Sequence, residues 1–228
     1  MPDKPHTLSD FEEALKDVRS SLLLMASTTS ENLKNSVEGL LSRDTGLCNQ
    51  AIADDEVVNG YERNIDEKGM VILLRFNPVA TDLRVVAATM KIATNLERIS
   101  DQAENIARRA RKILKHHESV DSAPVRHLYE LSFGLLRDAI EAYADGNSDL
   151  ALSLYEREEL LDKEHRDLIK ELTKKMESDV DHLRTYLNLI FIVRCLERVG
   201  DHAVNIAEDV VYIAKGENIR HVGPSGLD

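Results

Sequence analysis

A stretch of nineteen residues near the middle of the chain returns, without a gap, one hundred positions later. Asn95 to Ile113 reads NLERISDQAENIARRARKI, and Cys195 to Ile213 reads CLERVGDHAVNIAEDVVYI. The two copies are identical at nine positions and share the pattern Leu-Glu-Arg-x-x-Asp-x-Ala-x-Asn-Ile-Ala. A gapless match of this density is typical of duplication, so the sequence predicts two tandem copies of one unit.

Apolar residues in both copies recur at alternating steps of four and three. This spacing places them on one face of a helix and predicts that the face lies in the core of a helical bundle. The members are Ile92, Leu96, Ile99, Ala103, Ile106, Ala110 and Ile113 in the first copy, and Ile192, Leu196, Val199, Ala203, Ile206, Val210 and Ile213 in the second.

The rest of the chain also favours long helices. There are only 10 glycines and 5 prolines, and aromatic residues make up 4% of the sequence. Turn and breaker signals separate six predicted helices, at about residues 7–42, 47–75, 78–115, 124–144, 148–177 and 181–215. Because short connections join antiparallel neighbours, we predict an all-α protein of two tandem antiparallel three-helix bundles. The bundles span residues 1–117 and 124–216, and a flexible tail follows at 217–228.

Charge and cysteine usage restrict the possible partners and the compartment. The formal net charge of -12 argues against nucleic acid as the main partner. Cys48 and Cys195 are far apart and form no Cys-x-x-Cys pair, which indicates free thiols in a reducing compartment. The sequence shows neither a signal peptide nor an apolar run long enough to span a bilayer. These features predict a cytoplasmic protein.

Each copy of the repeat carries oxygen-bearing side chains at steps of four, outside the apolar stripe. Residues four apart lie one above the other on a helix, and two acids at this spacing repel by about 0.2–0.5 kcal/mol. Because both copies keep the unfavourable arrangement, we expect a cation to offset it. The two ladders are Glu97, Asp101 and Asn105, and Glu197, Asp201 and Asn205.

A second, weaker set of acid pairs lies on the preceding helices. Glu62 and Asp66 are four apart, as are Glu158 and Asp162. If neighbouring helices are antiparallel, each pair meets one ladder, and four carboxylates with an amide form a hard-cation site. All-oxygen ligation favours Mg, Mn, Ca or Fe over a thiolate zinc site. With 41 acidic residues in the chain, a solvated acidic surface is the alternative.

The segments that carry this pattern resemble the PhoU family, whose members hold two copies of an acid-x-x-x-Asp motif. Here the copies lie at 96–107 and 196–207. The stretch from Asn77 to Arg84 also resembles the family's Pro-x-Ala-x-Asp-Leu-Arg entry to its third helix. The first copy departs from the pattern, because Ser100 replaces the usual glycine that the second copy has at Gly200.

The resemblance implies two similar three-helix bundles, often assembled as a homodimer, with multinuclear clusters of iron, zinc, manganese or magnesium on their surface. It also implies a negative regulator of phosphate uptake and of the Pho two-component phosphate-starvation response. The implied partners are the ATPase of the phosphate ABC transporter (Pst) and the phosphate sensor histidine kinase, so that contact with the membrane is indirect.

The sequence contains no nucleophile motif and no phosphate-binding glycine loop, so we do not expect an enzyme. Two alternatives stay open. A metal cluster can activate water, which would make the chain a metal-dependent phosphoester hydrolase. A chain without metal would be a purely structural helical adaptor.

Overall fold

The computed structural model describes residues 4–115 and 121–219, with side chains from residue 9 onward. Within those ranges the chain is helical and contains no strand. The helices are α1 (Lys4–Leu41), α2 (Thr45–Phe76), α3 (Ala80–Leu114), α4 (Ala123–Asp145), α5 (Ser148–Leu152), α6 (Leu154–Ser178) and α7 (Leu183–Lys215), with a short 3-10 helix at Val180–His182.

The helices form two groups that share one core. Helices α1, α2 and α3 pack against one another, and α4, α5 and α6 pack against α7. This arrangement confirms the predicted all-α fold of two three-helix bundles, with α5 and α6 together taking the place of one helix. Helix α3 packs along α7 and α1 touches α4, so one continuous apolar cluster runs through both groups.

The pairing of α3 with α7 brings the two copies of the repeat together. Asn95 contacts His202, and Arg109 contacts Asn188, so the residue number rises along one helix as it falls along the other. The helices are therefore antiparallel. The contacts that a residue of α3 makes with α7 are therefore matched by the contacts that its counterpart on α7 makes with α3.

The predicted apolar stripe is the centre of the core. All seven of its members on α3 are buried, and so are six of the seven on α7, while Ile213 is partly buried. Burying a side chain of this size stabilises the fold by about 1.5–3 kcal/mol.

Several helix ends follow the local chemistry of the sequence. Asp44 caps α2, where its Oδ1 accepts from the main-chain N–H of Gly46 at 2.7 Å. Asn77 ends the same helix in the left-handed conformation, which asparagine tolerates better than most residues. Gly146 and Gly216 end α4 and α7 at φ values of 65° and 75°, where a side chain would be strained.

The predicted helix at 148–177 is wrong as a single element, because it breaks at Ser153. The Ser153 hydroxyl donates to the main-chain oxygen of Leu150 at 2.7 Å, which competes with the helical pattern. Asn147 caps α5 by accepting from two main-chain N–H groups. Other boundaries differ by a few residues: α1 begins at Lys4, and the 3-10 helix precedes α7.

The predicted domain boundary and tail fall partly outside the described residues. Residues 116–120 and 220–228 are not described. Ile219 is 3% exposed, so the chain remains packed three residues beyond Gly216. Among the described helices, none has an apolar stretch long enough to cross a membrane.

Candidate metal centre

The groove between α6 and α7 brings three predicted ligands together. One carboxylate oxygen from each of Asp162, Glu197 and Asp201 lies within 4.8 Å of the other two. Hard cations bind oxygens at about 2.3–2.6 Å, so two ligands of one ion lie at most about 5 Å apart. The spacing of these three oxygens therefore fits a single ion.

A fourth carboxylate, Glu158, completes what we call the C-terminal acidic cluster. Burial raises the pKa of Glu158 to about 7, and the charges of Asp201 and Asp162 raise it further. Burial likewise raises the pKa of Asp201 to about 6, with Glu197 and Asp162 adding to the effect. Glu158 and Asp201 therefore resist ionising together, and a bound cation would relieve this repulsion.

The corresponding cluster in the first half is more dispersed and partly neutralised. Burial raises the pKa of Glu97, Asp101 raises it further and Arg98 opposes the change, while Glu62 has a smaller effect. Arg98 forms ion pairs with Glu97 at 3.4 Å and with Asp101 at 3.3 Å. In the described part of this half, no three acid, histidine or cysteine side chains meet as closely as in the second.

The remaining predicted ligands have separate environments. Asp66 is partly buried, and burial alone raises its pKa, with no neighbouring charge contributing. Asn105 is exposed, and its amide donates to the main-chain oxygen of Asp101 at 2.9 Å. Asn205 is partly buried on α7.

Sequence reasoning missed Asp55, which joins the acids of the first half. Its Oδ1 accepts a hydrogen bond from Ser100 at 2.8 Å, and Asp101 raises its pKa after the larger effect of burial. The acid pair of α2 recurs ninety-six positions later. At this offset the residue that corresponds to Asp55 is Ala151, which carries no acid. No repeat of the acid could therefore have signalled it.

His165 adds a nitrogen donor beside the C-terminal acidic cluster. Its Nε2 is buried and has no hydrogen-bond partner within the described ranges. Burial lowers the pKa of the ring, while Asp162 and Asp201 oppose this change, so the imidazole is neutral near pH 7. The ring is near enough to Asp162 and Asp201 to feel their charge, but it is not one of the three residues whose ligand atoms lie within 4.8 Å of one another.

The chain matches one protein-family model and is similar in sequence to several named proteins. The model of the family described as "PhoU domain" matches residues 22–121 and again 125–210. The Pseudomonas putida "phosphate-specific transport system accessory protein PhoU homolog" is 38% identical over 96% of this chain and 86% of its own length. The corresponding Escherichia coli K12 protein is 30% identical over 98% of this chain and 92% of its own.

A solved structure supports the same relationship. The crystal structure of PhoU from Pseudomonas aeruginosa superposes with a TM-score of 0.88 at 38% identity, covering 91% of this chain and all of that one. The double match of the family model follows the internal repeat, and the relatives match along nearly the full length. The chain therefore belongs to the PhoU family.

Proposed function

We propose that this chain is a non-enzymatic, cytoplasmic regulator that restrains phosphate uptake and keeps the phosphate-starvation response off when phosphate is plentiful. It acts by binding the ATPase of the phosphate ABC transporter and the phosphate sensor histidine kinase. Metal in the C-terminal acidic cluster fixes α6 against α7 and so shapes the surface that the partners bind. We also propose that the chain forms a homodimer.

The observation that carries this proposal is the extent of the likeness. Relatives named as accessory proteins of the phosphate-specific transport system match 96% and 98% of the chain. Such a match includes both copies of the repeat and the helices that pack on them. A role in phosphate transport follows for the chain as a whole rather than for one segment of it.

The chemistry of the acidic cluster supports metal loading. Burial and mutual repulsion raise the pKa values of Glu158, Glu197 and Asp201, so these carboxylates are unfavourable together in the absence of a cation. A bound ion would supply positive charge that holds two helices together at the groove. The chain itself would position the ligands, because Glu197 and Asp201 lie one turn apart on α7.

An exposed apolar surface at the turn from α2 to α3 supports partner binding. Its members lie on the last turns of α2 and the first turns of α3: Met70, Val71, Leu74, Val79 and Leu83. Leu74 is 75% exposed and Val79 is 74% exposed. Apolar side chains gathered at one end of a helical hairpin mark a surface for another protein.

A pull-down of the ATPase and of the sensor kinase, with and without chelator, tests the proposal. We expect the wild type to retain both partners and Leu74→Asp to lose at least one. Val57→Asp is the matched control, because Val57 is also an exposed residue of α2, at 50%, but lies about 25 Å along the helix. Failure of the wild type to retain either partner would contradict the proposal.

An enzymatic assay addresses the alternative. Saturable hydrolysis of p-nitrophenyl phosphate in the presence of manganese, lost in Asp201→Asn, would assign a metal-dependent hydrolase instead. A chain that takes up no metal and shows no metal-dependent thermal shift would be a structural adaptor.

A further inference from the structure

A cavity of about 270 Å³ lies in the groove between α3 and α7, and its polar lining is cationic. Arg109 comes from α3, and Arg194 and Arg198 come from α7. The amides of Gln102 and Asn105 complete the polar part, and no carboxylate lines the cavity. We call this cavity the arginine pocket. Three guanidinium groups in one pocket are unexpected in a chain whose net charge is -12.

The charges in the arginine pocket are not neutralised by ion pairs. Within the described residues, neither Arg194 nor Arg198 forms an ion pair, although both lower the pKa of nearby Glu197 against the larger effect of burial. Arg109 stacks over the ring of Phe191 at 4.1 Å and donates to Asn188 Oδ1 at 3.4 Å. Neither contact of Arg109 removes its charge, so the pocket presents three free positive charges.

The three guanidinium groups come from two facing helices and line one pocket. Cys195 of α7 belongs to the same lining. A ligand in the pocket meets positive charge from both helices.

Gln102 adds a neutral hydrogen-bonding group to the pocket. Its side chain is only 8% exposed, it lines the pocket, and it forms no hydrogen bond within the described part of the chain. Its amide atoms are not among the fully buried atoms that lack a partner, so they reach the open space of the pocket. The amide of Gln102 can supply N–H donors to an oxygen ligand that enters the cavity.

The counterpart of the pocket in the other half is bridged by a contact between two side chains. The one-hundred-residue offset pairs Gln102 with His202 and Cys195 with Asn95, and His202 Nδ1 lies 3.1 Å from Asn95 Oδ1. The counterpart of Arg198 is Arg98, which is held by two ion pairs. Thr94 stands where the second copy has Arg194. Within the described residues, the related position in the first half therefore has fewer unpaired arginines.

We infer that the arginine pocket binds a phosphoryl oxyanion, either inorganic phosphate or the phosphate of a small phosphomonoester. Guanidinium groups match the tetrahedral oxygens of phosphate with paired hydrogen bonds, and amides add neutral donors. The volume lies just below the roughly 300–1,000 Å³ of pockets for drug-sized ligands, so the occupant is small. This inference does not depend on the partners proposed above. A chain with such a pocket responds to phosphate directly, without a partner.

Isothermal titration calorimetry on the full chain, freed of metal by chelator, tests the inference. Sodium phosphate and glycerol 3-phosphate are titrated separately at pH 7.5 and constant ionic strength. We expect saturable binding of at least one probe at one site per chain, and the tighter probe identifies the source of the phosphoryl group. Arg194→Gln and Arg198→Gln should each weaken binding at least tenfold.

Arg98→Gln is the matched control. The substitution removes one positive charge from the position of the first copy that corresponds to Arg198. Arg98 has the equivalent acids beside it, but it does not line the pocket. It should leave the affinity within about twofold of the wild type. The inference is wrong if neither probe gives saturable heat at millimolar concentration, or if Arg98→Gln weakens binding as much as Arg198→Gln. Arg194 and Arg198 are exposed, so these variants should retain the helical circular dichroism of the wild type.

Discussion

The hydroxyl oxygen of Ser100 lies 2.8 Å from Oδ1 of Asp55 and donates its proton to that carboxylate. The same oxygen accepts from Nδ2 of Asn32 at 2.8 Å, so one buried serine links α1, α2 and α3. At the same position of the second copy, Gly200 packs against Leu161 and Leu135. A single difference between the copies therefore replaces a polar link with an apolar contact.

Ser100→Ala should lower the free energy of unfolding by about 1–3 kcal/mol, measured by urea denaturation. The substitution leaves the buried Asn32 amide without its acceptor and removes the donor to Asp55. Ser178→Ala is the control, because the Ser178 hydroxyl is exposed and donates only to main-chain oxygens of its own helix. A cost for Ser100→Ala no larger than that of the control would show that the link does not stabilise the fold.

Gly200→Ala should destabilise the chain by about 1–3 kcal/mol, because overpacking a filled core forces neighbours to shift. A Cβ at this position would clash with Cδ2 of the fully buried Leu161. The additional substitution Leu161→Val should recover part of the loss relative to Leu161→Val alone. Urea denaturation of the four chains gives the coupling.

Gly60→Ala supplies a control of opposite sign. Gly60 also lies inside a helix, but no atom would come within 4 Å of an added Cβ. Alanine there should stabilise the chain by about 0.5–1 kcal/mol through the lower entropy of its unfolded state. Equal effects at Gly60 and Gly200 would contradict a packing explanation.

Asp201→Asn should abolish the binding of manganese at the C-terminal acidic cluster while leaving the metal-free chain as stable as the wild type or more so. The substitution removes a ligand and also removes a charge that repels Glu158 and Glu197. Elemental analysis and calorimetric titration with manganese measure the first effect, and thermal denaturation in chelator measures the second.

Asp101→Asn is the matched change in the first half. Because the acids there are more dispersed and Arg98 pairs with them, we expect Asp101→Asn to keep the metal of the α6–α7 groove. Unchanged metal content in Asp201→Asn would show that the cluster is only a solvated acidic surface.

Asp138→Asn should cost about 1.5–3 kcal/mol of stability at pH 7, and the cost should shrink as the pH falls toward 3. Burial acts to raise the pKa of Asp138, but hydrogen bonds from Arg137 and Arg157 outweigh it and hold the pKa below its usual value. Because the folded-state pKa is the lower one, the stabilisation is present above the unfolded pKa of about 3.9 and is lost as the pH falls through the folded value.

Urea denaturation of the wild type and Asp138→Asn between pH 7 and pH 3 measures this dependence. Asp167→Asn serves as the control, since Asp167 is 56% exposed in its pair with Lys170 and should contribute less than 1 kcal/mol. A difference between the wild type and Asp138→Asn that stays constant with pH would exclude the ionised pair as its cause.

The apolar stripe was predictable because a helix has a fixed period, so spacing alone fixes which residues share a face. Leu96 and Leu196 are buried as their positions in the repeat require. The break at Ser153 was not predictable in the same way, since a serine inside a helix usually turns its hydroxyl to solvent or to the preceding turn without ending the helix.

Contacts between helices were harder to predict than the helices themselves. The convergence of Asp162 with Glu197 and Asp201 followed from pairing acids at repeated spacings. The proximity of Asp55 to Ser100 has no repeated counterpart, and the arginine pocket depends on how two bundles pack, which no spacing within one helix specifies. Metal binding at the predicted ladders stays a prediction.

The antiparallel contact of α3 with α7 has a consequence for how the two copies can diverge. In a homodimer of single repeats, every substitution would occur on both sides of the twofold axis. Joined in one polypeptide, the copies are free to differ, so that Asn95 meets His202 on one side while Cys195 and Gln102 leave the other side open. A tandem chain can thus bind a ligand at one of two related positions while the other position only holds the helices together.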